Sequence, residues 1–414
     1  MTGEGMTGEG MTGEGMTGEG MTGEGMTGRL PDRVVDVAVV GLGTTGAMAL
    51  WQLSGVEGLD VVGVEAFGPV HLHGSYSGES RLFRMAVKEG SLYVPLLRRA
   101  RELWQELEAE AGREILLPVG ALSIGPVGQP ELEATLATMA EHDLPSRVLD
   151  DAELAAQYPQ HVPRAGDMGI LDPLGGGLRP EVAVLAATEA AQARGATVVH
   201  HCRVTGLERT DDGVLVRAGD EVLRARKVVV TAGSWTSALR PDLAGLLTTR
   251  HIPLTWFLPR DPSAFRPEVF PVFMRDLDGF HAYGAPCLDG ATVKVSFSTP
   301  EHDDLASVDD VPALVPEDLL AAFSEQLPHF FSGMHPFPAR ATSHHDTWTP
   351  DRVPVVDLDP EERVVTIAGL SGHGFKLAPA FGLLARDLVV DGGSALRPPE
   401  MALAAHLGRQ AAAV

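Results

Sequence analysis

The stretch from Val34 to Gly46 constrains this chain more than any other. An apolar run over 34–40, broken only by Asp36, meets Gly41-Leu42-Gly43-Thr44-Thr45-Gly46. A near-continuous apolar run suits a parallel strand covered on both faces. The Gly-x-Gly-x-x-Gly spacing allows a tight turn that brings backbone against a pyrophosphate at the N-terminus of the next helix. That helix shows an apolar face with Ala47, Met48, Leu50 and Trp51. A second strand over 60–64 then delivers Glu65, nineteen residues after Gly46 and near the spacing of an acid that grips a ribose hydroxyl. Strand, turn, helix, strand and acid in this order point to a dinucleotide site.

The remaining bulk properties narrow the class. A net charge of −24 argues against a nucleic-acid partner. The two cysteines, Cys202 and Cys287, provide neither a disulfide framework nor a metal cluster. No apolar run is long enough to span a membrane. No basic segment followed by an apolar one marks a secretory signal, so cytoplasm is the expectation. Residues 1–25 are five copies of Met-Thr-Gly-Glu-Gly, which cannot bury enough surface to offset chain entropy. Residues 1–32 are therefore expected to be a disordered tail.

Strand-like and helical patterns alternate along the rest. A loop, Gly74-Ser75-Tyr76-Ser77-Gly78-Glu79-Ser80, precedes Arg81 and Arg84, and a helical stripe runs from Leu96 to Leu107. A helix is expected over 180–194, then strands over 197–204 and 214–217 with Asp212-Gly213 as the hairpin turn between them. A buried strand over 227–235 ends in small residues. Residues about 246–300 read as β-structure, 316–326 as a helix, and 363–368 as a strand before Gly369-Leu370-Ser371-Gly372-His373-Gly374-Phe375-Lys376. The final helix carries Pro379, which a first turn tolerates. The nucleotide-binding pieces are scattered, with β-rich sections between them. The expected fold is α/β: an interrupted Rossmann-like domain (33–90, 166–245 and 351–395) with a second, mixed α+β substrate domain (91–165 and 246–350).

On these motifs the chain resembles the monomeric sarcosine oxidase and N-methyltryptophan oxidase family of flavin-dependent amine oxidases. The resemblance runs from about Val34 to Leu388. It rests on the glycine turn with Glu65, the Gly74–Arg84 segment, Tyr93-Val94-Pro95-Leu96, Val230-Thr231-Ala232-Gly233-Ser234-Trp235, Val293-Lys294, and Ser371-Gly372-His373-Gly374-Phe375-Lys376. It implies the two-domain, glutathione-reductase-like architecture of the D-amino-acid-oxidase type. It also implies FAD, a secondary, N-methyl or cyclic amino acid as substrate, O2 as acceptor, H2O2 as product, and a monomer.

Several roles follow from the resemblance. Gly41, Gly43, Thr45, Gly46, Glu65, Ser75, Ser80, Arg81, Val204, Ala232, Gly233, Trp235, Gly369, Gly372, His373, Gly374, Phe375 and Lys376 would contact the cofactor. Arg84 and Lys376 match the pair that anchors the substrate carboxylate, a task that suits cationic, bidentate donors. Arg81 matches the arginine beside the flavin ring. Lys294 matches the lysine that promotes reaction with oxygen, where a fixed positive charge would stabilise developing superoxide; the alternation Val293-Lys294-Val295 equally allows a solvent-facing lysine. Backbone N–H groups at Gly372–Gly374 would stabilise the anionic reduced flavin. Tyr283 and Asp346 are further pocket candidates, and no metal site is expected.

The chain also departs from the family. Counting back from Val355-Val356-Asp357 places His344 where the family has its flavin-tethering cysteine. Noncovalent FAD is the expectation, with His344 or His345 as the positions for any tether. Ser77 and Ser298 stand where the family has histidines, and Asp346 where it has a tyrosine. An acid at 346 would attract a cationic substrate group or lie in a solvated loop. Three other readings stay open: a flavin dehydrogenase or imine-forming enzyme with a different acceptor, a catalytically silent flavin-binding protein, and a nicotinamide-dependent dehydrogenase. Retention of Arg84, Lys294 and Lys376 argues against the silent protein, and the 232–235 and 372–376 segments argue against the nicotinamide enzyme.

Overall fold

Valine-rich runs build the first layer. The computed structural model describes residues 28–298, 304–361 and 363–412, so most of the expected tail lies outside the described residues. Strand Val34–Val40 lies between Val61–Val64 and Glu221–Val230, all parallel. Thr197–Val199 extends the sheet beyond Val61–Val64, and Val364–Ala368 extends it beyond Glu221–Val230. These strands are apolar on both faces because helices cover them. Helix Thr44–Ser54 buries Met48, Leu50, Trp51 and Leu53. Helix Gly374–Val390 crosses it at Gly382, where an added Cβ would lie 2.6 Å from the Met48 backbone. Only glycine permits that approach.

The hairpin differs from the sequence expectation. Strand Val214–Ala218 pairs antiparallel with Gly206–Arg209, not with the strand at 197. His201 takes a left-handed φ of +54°, ending the run that the alternation placed over 197–204. The strand expected over 227–235 instead starts at Glu221 and stops at Val230, with Gly233–Trp235 a short 3-10 turn. Pro379 lies inside helix Gly374–Val390 rather than in its first turn, so the helix loses one internal N–H there; a further helix, Leu403–Ala412, follows it.

The second layer is a nine-stranded, mainly antiparallel sheet. Its longest pairing joins Thr248–Pro259 to Met334–Trp348. Val293–Ser298, Phe280–Ala285 and Val272–Leu277 follow across the sheet. Ala121–Pro126 then pairs parallel with Val272–Leu277, and Asp167–Asp172 and Arg147–Leu149 complete that edge. Residues 344–346 therefore sit in a strand rather than a loop. A small sheet of Arg81–Phe83, Gly176–Leu178 and Leu116–Leu117 is also present, and its first strand continues directly from the Gly74–Ser80 loop. No described helix is long and apolar enough to cross a membrane.

Candidate active site

A cavity of about 350 Å3 opens along the carboxyl ends of the parallel strands. This is where open α/β sheets bind ligands. Its wall contains Gly41, Gly43, Thr45, Glu65, Ser75, Val204, Ala232, Gly233, Trp235 and Gly369, all expected from sequence, together with His345 and Asp346. The helix that starts at Thr44 has no side-chain cap and no acid in its first turn, so its N–H groups are free for a phosphate. Gly46 packs so tightly that a Cβ would fall 1.8 Å from the Gly41 carbonyl oxygen and 2.6 Å from Thr231 Oγ1. Thr231, which the sequence reading passed over, donates to that carbonyl at 2.8 Å.

Glu65 is buried. It accepts the Leu42 N–H at 2.7 Å and the Phe67 N–H at 3.0 Å, with His71 Nε2 3.4 Å away. Burial pushes its pKa up, but His71 and the two backbone N–H groups outweigh this and hold it below the ordinary carboxylate value. Phe67 stacks on His73 at 4.1 Å, and Arg203 lies over Phe67 and Trp235 at 5.1 and 5.9 Å. A flat cation and aromatic rings at one end of the cavity suit a purine.

The Gly74–Ser80 loop folds around two cations. Arg81 donates to the Ser75, Ser77 and Ser80 carbonyls at 2.8, 2.6 and 2.7 Å. Lys294 is 2% exposed, which excludes the solvent-facing alternative. Its Nζ donates to Gly78 O at 3.0 Å and Ser80 O at 2.9 Å and lies 5.5 Å from the Trp256 ring. Burial, then the Arg81 charge, pushes its pKa well below the ordinary lysine value. Ser80 Oγ is buried without a partner among the described residues. Tyr283 lies near Arg81 and Asp346, and burial raises its pKa. Asp346 accepts from Gly372 N at 2.5 Å and Thr347 N at 2.8 Å, and burial raises its pKa to about 6.

Arg84 and Lys376 converge, as their pairing implied, but on a residue the sequence reading missed. Glu89 Oε1 lies 3.3 Å from Lys376 Nζ and 3.6 Å from the Arg84 guanidinium. Burial opposes its charge, but Lys376 and Arg84 hold its pKa far below the usual carboxylate range. Burial pushes Lys376 down to about 8 despite Glu89. Asp172 fixes this segment by accepting Met85 N at 2.7 Å and Ala86 N at 3.0 Å. Of the expected cofactor contacts, Gly46, Ser80, Arg81, Gly372, His373, Gly374, Phe375 and Lys376 do not line the cavity; His373 bonds Ser371 O and Tyr93 OH, and Phe375 stacks on Trp104.

Both histidines at the tether position are engaged. His344 is paired with Ser77 Oγ at 3.2 Å and Thr342 Oγ1 at 2.7 Å. His345 Nε2 bonds the His73 carbonyl at 2.8 Å, so it carries the proton and Nδ1 accepts from Ser234 Oγ at 2.8 Å. Burial, then Arg81 and Lys294, lowers His344 to about 3, so its ring is neutral. Both cysteines are buried and free, and no group of metal-binding side chains occurs among the described residues.

Comparison with known proteins places the chain in a family. The model of the family described as "FAD dependent oxidoreductase" matches residues 36–388. Monomeric sarcosine oxidase of Streptomyces avermitilis is 33% identical over 372 residues, which is 87% of this chain and 94% of that protein. N-methyl-L-tryptophan oxidase of Yersinia pestis is 32% identical over 352 residues, covering 84% and 93%. Among solved structures, NikD, an unusual amino acid oxidase essential for nikkomycin biosynthesis, superposes with a TM-score of 0.79 at 23% identity, covering 89% of this chain and 97% of that one. L-proline dehydrogenase from P. horikoshii gives 0.77 at 19% identity, covering 92% and 99%. An uncapped helix N-terminus, a glycine no side chain can replace and a buried acid beside the turn fit FAD, and the chain belongs to the FAD dependent oxidoreductase family.

Proposed function

We propose that the protein oxidises the C–N bond of a secondary, N-methyl or cyclic amino acid, passing the electrons to O2 and releasing an imine and H2O2. The observation that carries this reading is the meeting of Arg84 and Lys376 on one carboxylate, that of Glu89. The pair is thus already arranged as a carboxylate receptor, and a substrate carboxylate would compete for the same donors. Bound FAD supplies a hydride acceptor. The protein's part is to anchor the carboxylate, to orient the amine and its neighbouring C–H, and to exclude water. Asp346 on the cavity wall is placed to attract the cationic amine, which must lose its proton before hydride can leave the neighbouring carbon. Lys294, held by two loop carbonyls, would in its protonated form place a positive charge where oxygen would be reduced.

The cofactor is read as untethered, because His344 and His345 each use both ring nitrogens in hydrogen bonds. FAD would be held by segments 33–90, 166–245 and 351–395, with strand Asp167–Asp172 of that region contributing to the second sheet. A cytoplasmic monomer is the accompanying reading, and two unpaired cysteines support a reducing compartment. A screen of N-methyl and cyclic amino acids for peroxide release tests the proposal, with the matching amino acid amides as controls. Turnover of acids over amides supports it. Equal turnover of both removes the anchoring role of Arg84 and Lys376.

A further inference from the structure

Glu181 lies in the first turn of helix Pro180–Ala193, 103 residues from Gly78 in sequence. Its Oε1 nevertheless accepts both Gly78 N at 2.7 Å and Glu79 N at 3.2 Å. Those two residues have φ of +110° and +70°. A left-handed glutamate is uncommon and persists only where surrounding structure over-determines it. One carboxylate oxygen therefore gathers the N–H groups of the bend. The carbonyls of the same loop then face the other way: Gly78 O and Ser80 O toward Lys294, and Ser75 O, Ser77 O and Ser80 O toward Arg81. The loop is a clamp with an anion behind it and two cations in front.

We propose that Glu181 is a positioning residue that shapes this loop to hold Lys294 and sets a negative charge on the far side of the loop from it. The inference rests on the reading of Lys294 as the oxygen-site lysine. The charges around Lys294 are consistent with it. Arg81, Arg340 and the flanking ring of His344 surround it, and burial opposes its charge. Glu79 and Glu181 favour the charged form. Glu79 is already paired with Arg340, whose guanidinium lies 3.9 Å from the Trp256 ring. Glu181 makes no salt bridge among the described residues, and its charge acts on Arg81 as well as on Lys294.

The chain has four lysines, Lys88, Lys227, Lys294 and Lys376, so each side-chain resonance can be followed in the FAD-loaded enzyme labelled with 13C at lysine Cε. Lys294→Met and Lys376→Met assign the two buried signals. Glu181→Gln keeps the acceptor for both N–H groups and removes only the charge. It should lower the midpoint of the Lys294 titration by about one pH unit, a tenfold loss of proton affinity, and leave Lys376 unmoved. Glu181→Ala, which also releases the bend, should lower it at least as far. A Lys294 midpoint in Glu181→Gln equal to that of the wild type overturns the proposal, whatever Glu181→Ala does. An equal shift of Lys376 overturns it too, because the change is then global. The titration needs no turnover. A Lys294 shift with no matching shift in the pH dependence of the oxygen reaction leaves the positioning role standing and removes the oxygen role of Lys294.

Discussion

Replacing Glu89 with glutamine should move the pH at which the site loses its grip on carboxylates. Lys376 titrates at about 8, pushed down by burial and held up by Glu89. At the 3.3 Å separation of Lys376 Nζ and Glu89 Oε1, and an effective dielectric constant of about 20, the Coulomb term is about 5 kcal/mol. Arg84 shares that carboxylate and structural relaxation takes up more of the term. A third of it, about 1.7 kcal/mol, still changes proton affinity more than tenfold. The sign is fixed: removing the anion lowers the pKa of Lys376, so the neutral amine forms at lower pH. Acetate binding, read from the perturbed flavin absorbance across pH 5.5 to 9.5, gives the assay. Wild-type affinity should fall through a midpoint near 8, and the Glu89→Gln midpoint should lie near 7 or below. An unchanged or raised midpoint would refute the coupling between Glu89 and Lys376.

Other predictions address the cofactor and the core. Gly46→Ala should abolish FAD retention and cost several kcal/mol, since its Cβ would enter the Gly41 carbonyl; flavin content and thermal unfolding report it. His161 is buried among Phe270, Phe273 and Phe331 beside Arg275, and burial lowers its pKa to about 3. The unfolded chain therefore binds the proton first, and stability falls by about 1.4 kcal/mol per pH unit below 6.5. Urea unfolding of His161→Phe should lose about 2 kcal/mol less than the wild type between pH 7 and 5. Acid precipitation should release the yellow cofactor into the supernatant; colour in the pellet would mean that His344 or His345 gives up a hydrogen bond to form a tether.

The elements legible in the sequence were those whose residues are required locally. Gly41 needs its φ of +86° and Gly46 its missing Cβ, so the first strand, turn and helix could be read directly. The hairpin was misread because Asp212-Gly213 marks a turn but not its partner, and the partner was a weak four-residue strand, Gly206–Arg209. Lys294 could be placed inward only once Trp256 and the loop carbonyls were in view. Glu89 and Glu181 carried no signal at all: their roles depend on contacts to Lys376 and Gly78, 287 and 103 positions away. Long-range polar contacts leave no periodicity, and an acid at a helix start ordinarily means no more than a favourable dipole.

On the proposed function, the bound flavin takes electrons from the amine of an amino acid. The most direct measurement is the flavin absorbance after anaerobic mixing with N-methyl and cyclic amino acids. At least one of them should bleach the visible flavin absorbance, its amide should not, and colour should return with peroxide on admitting air. A flavin that stays oxidised with every such acid would contradict the proposed function.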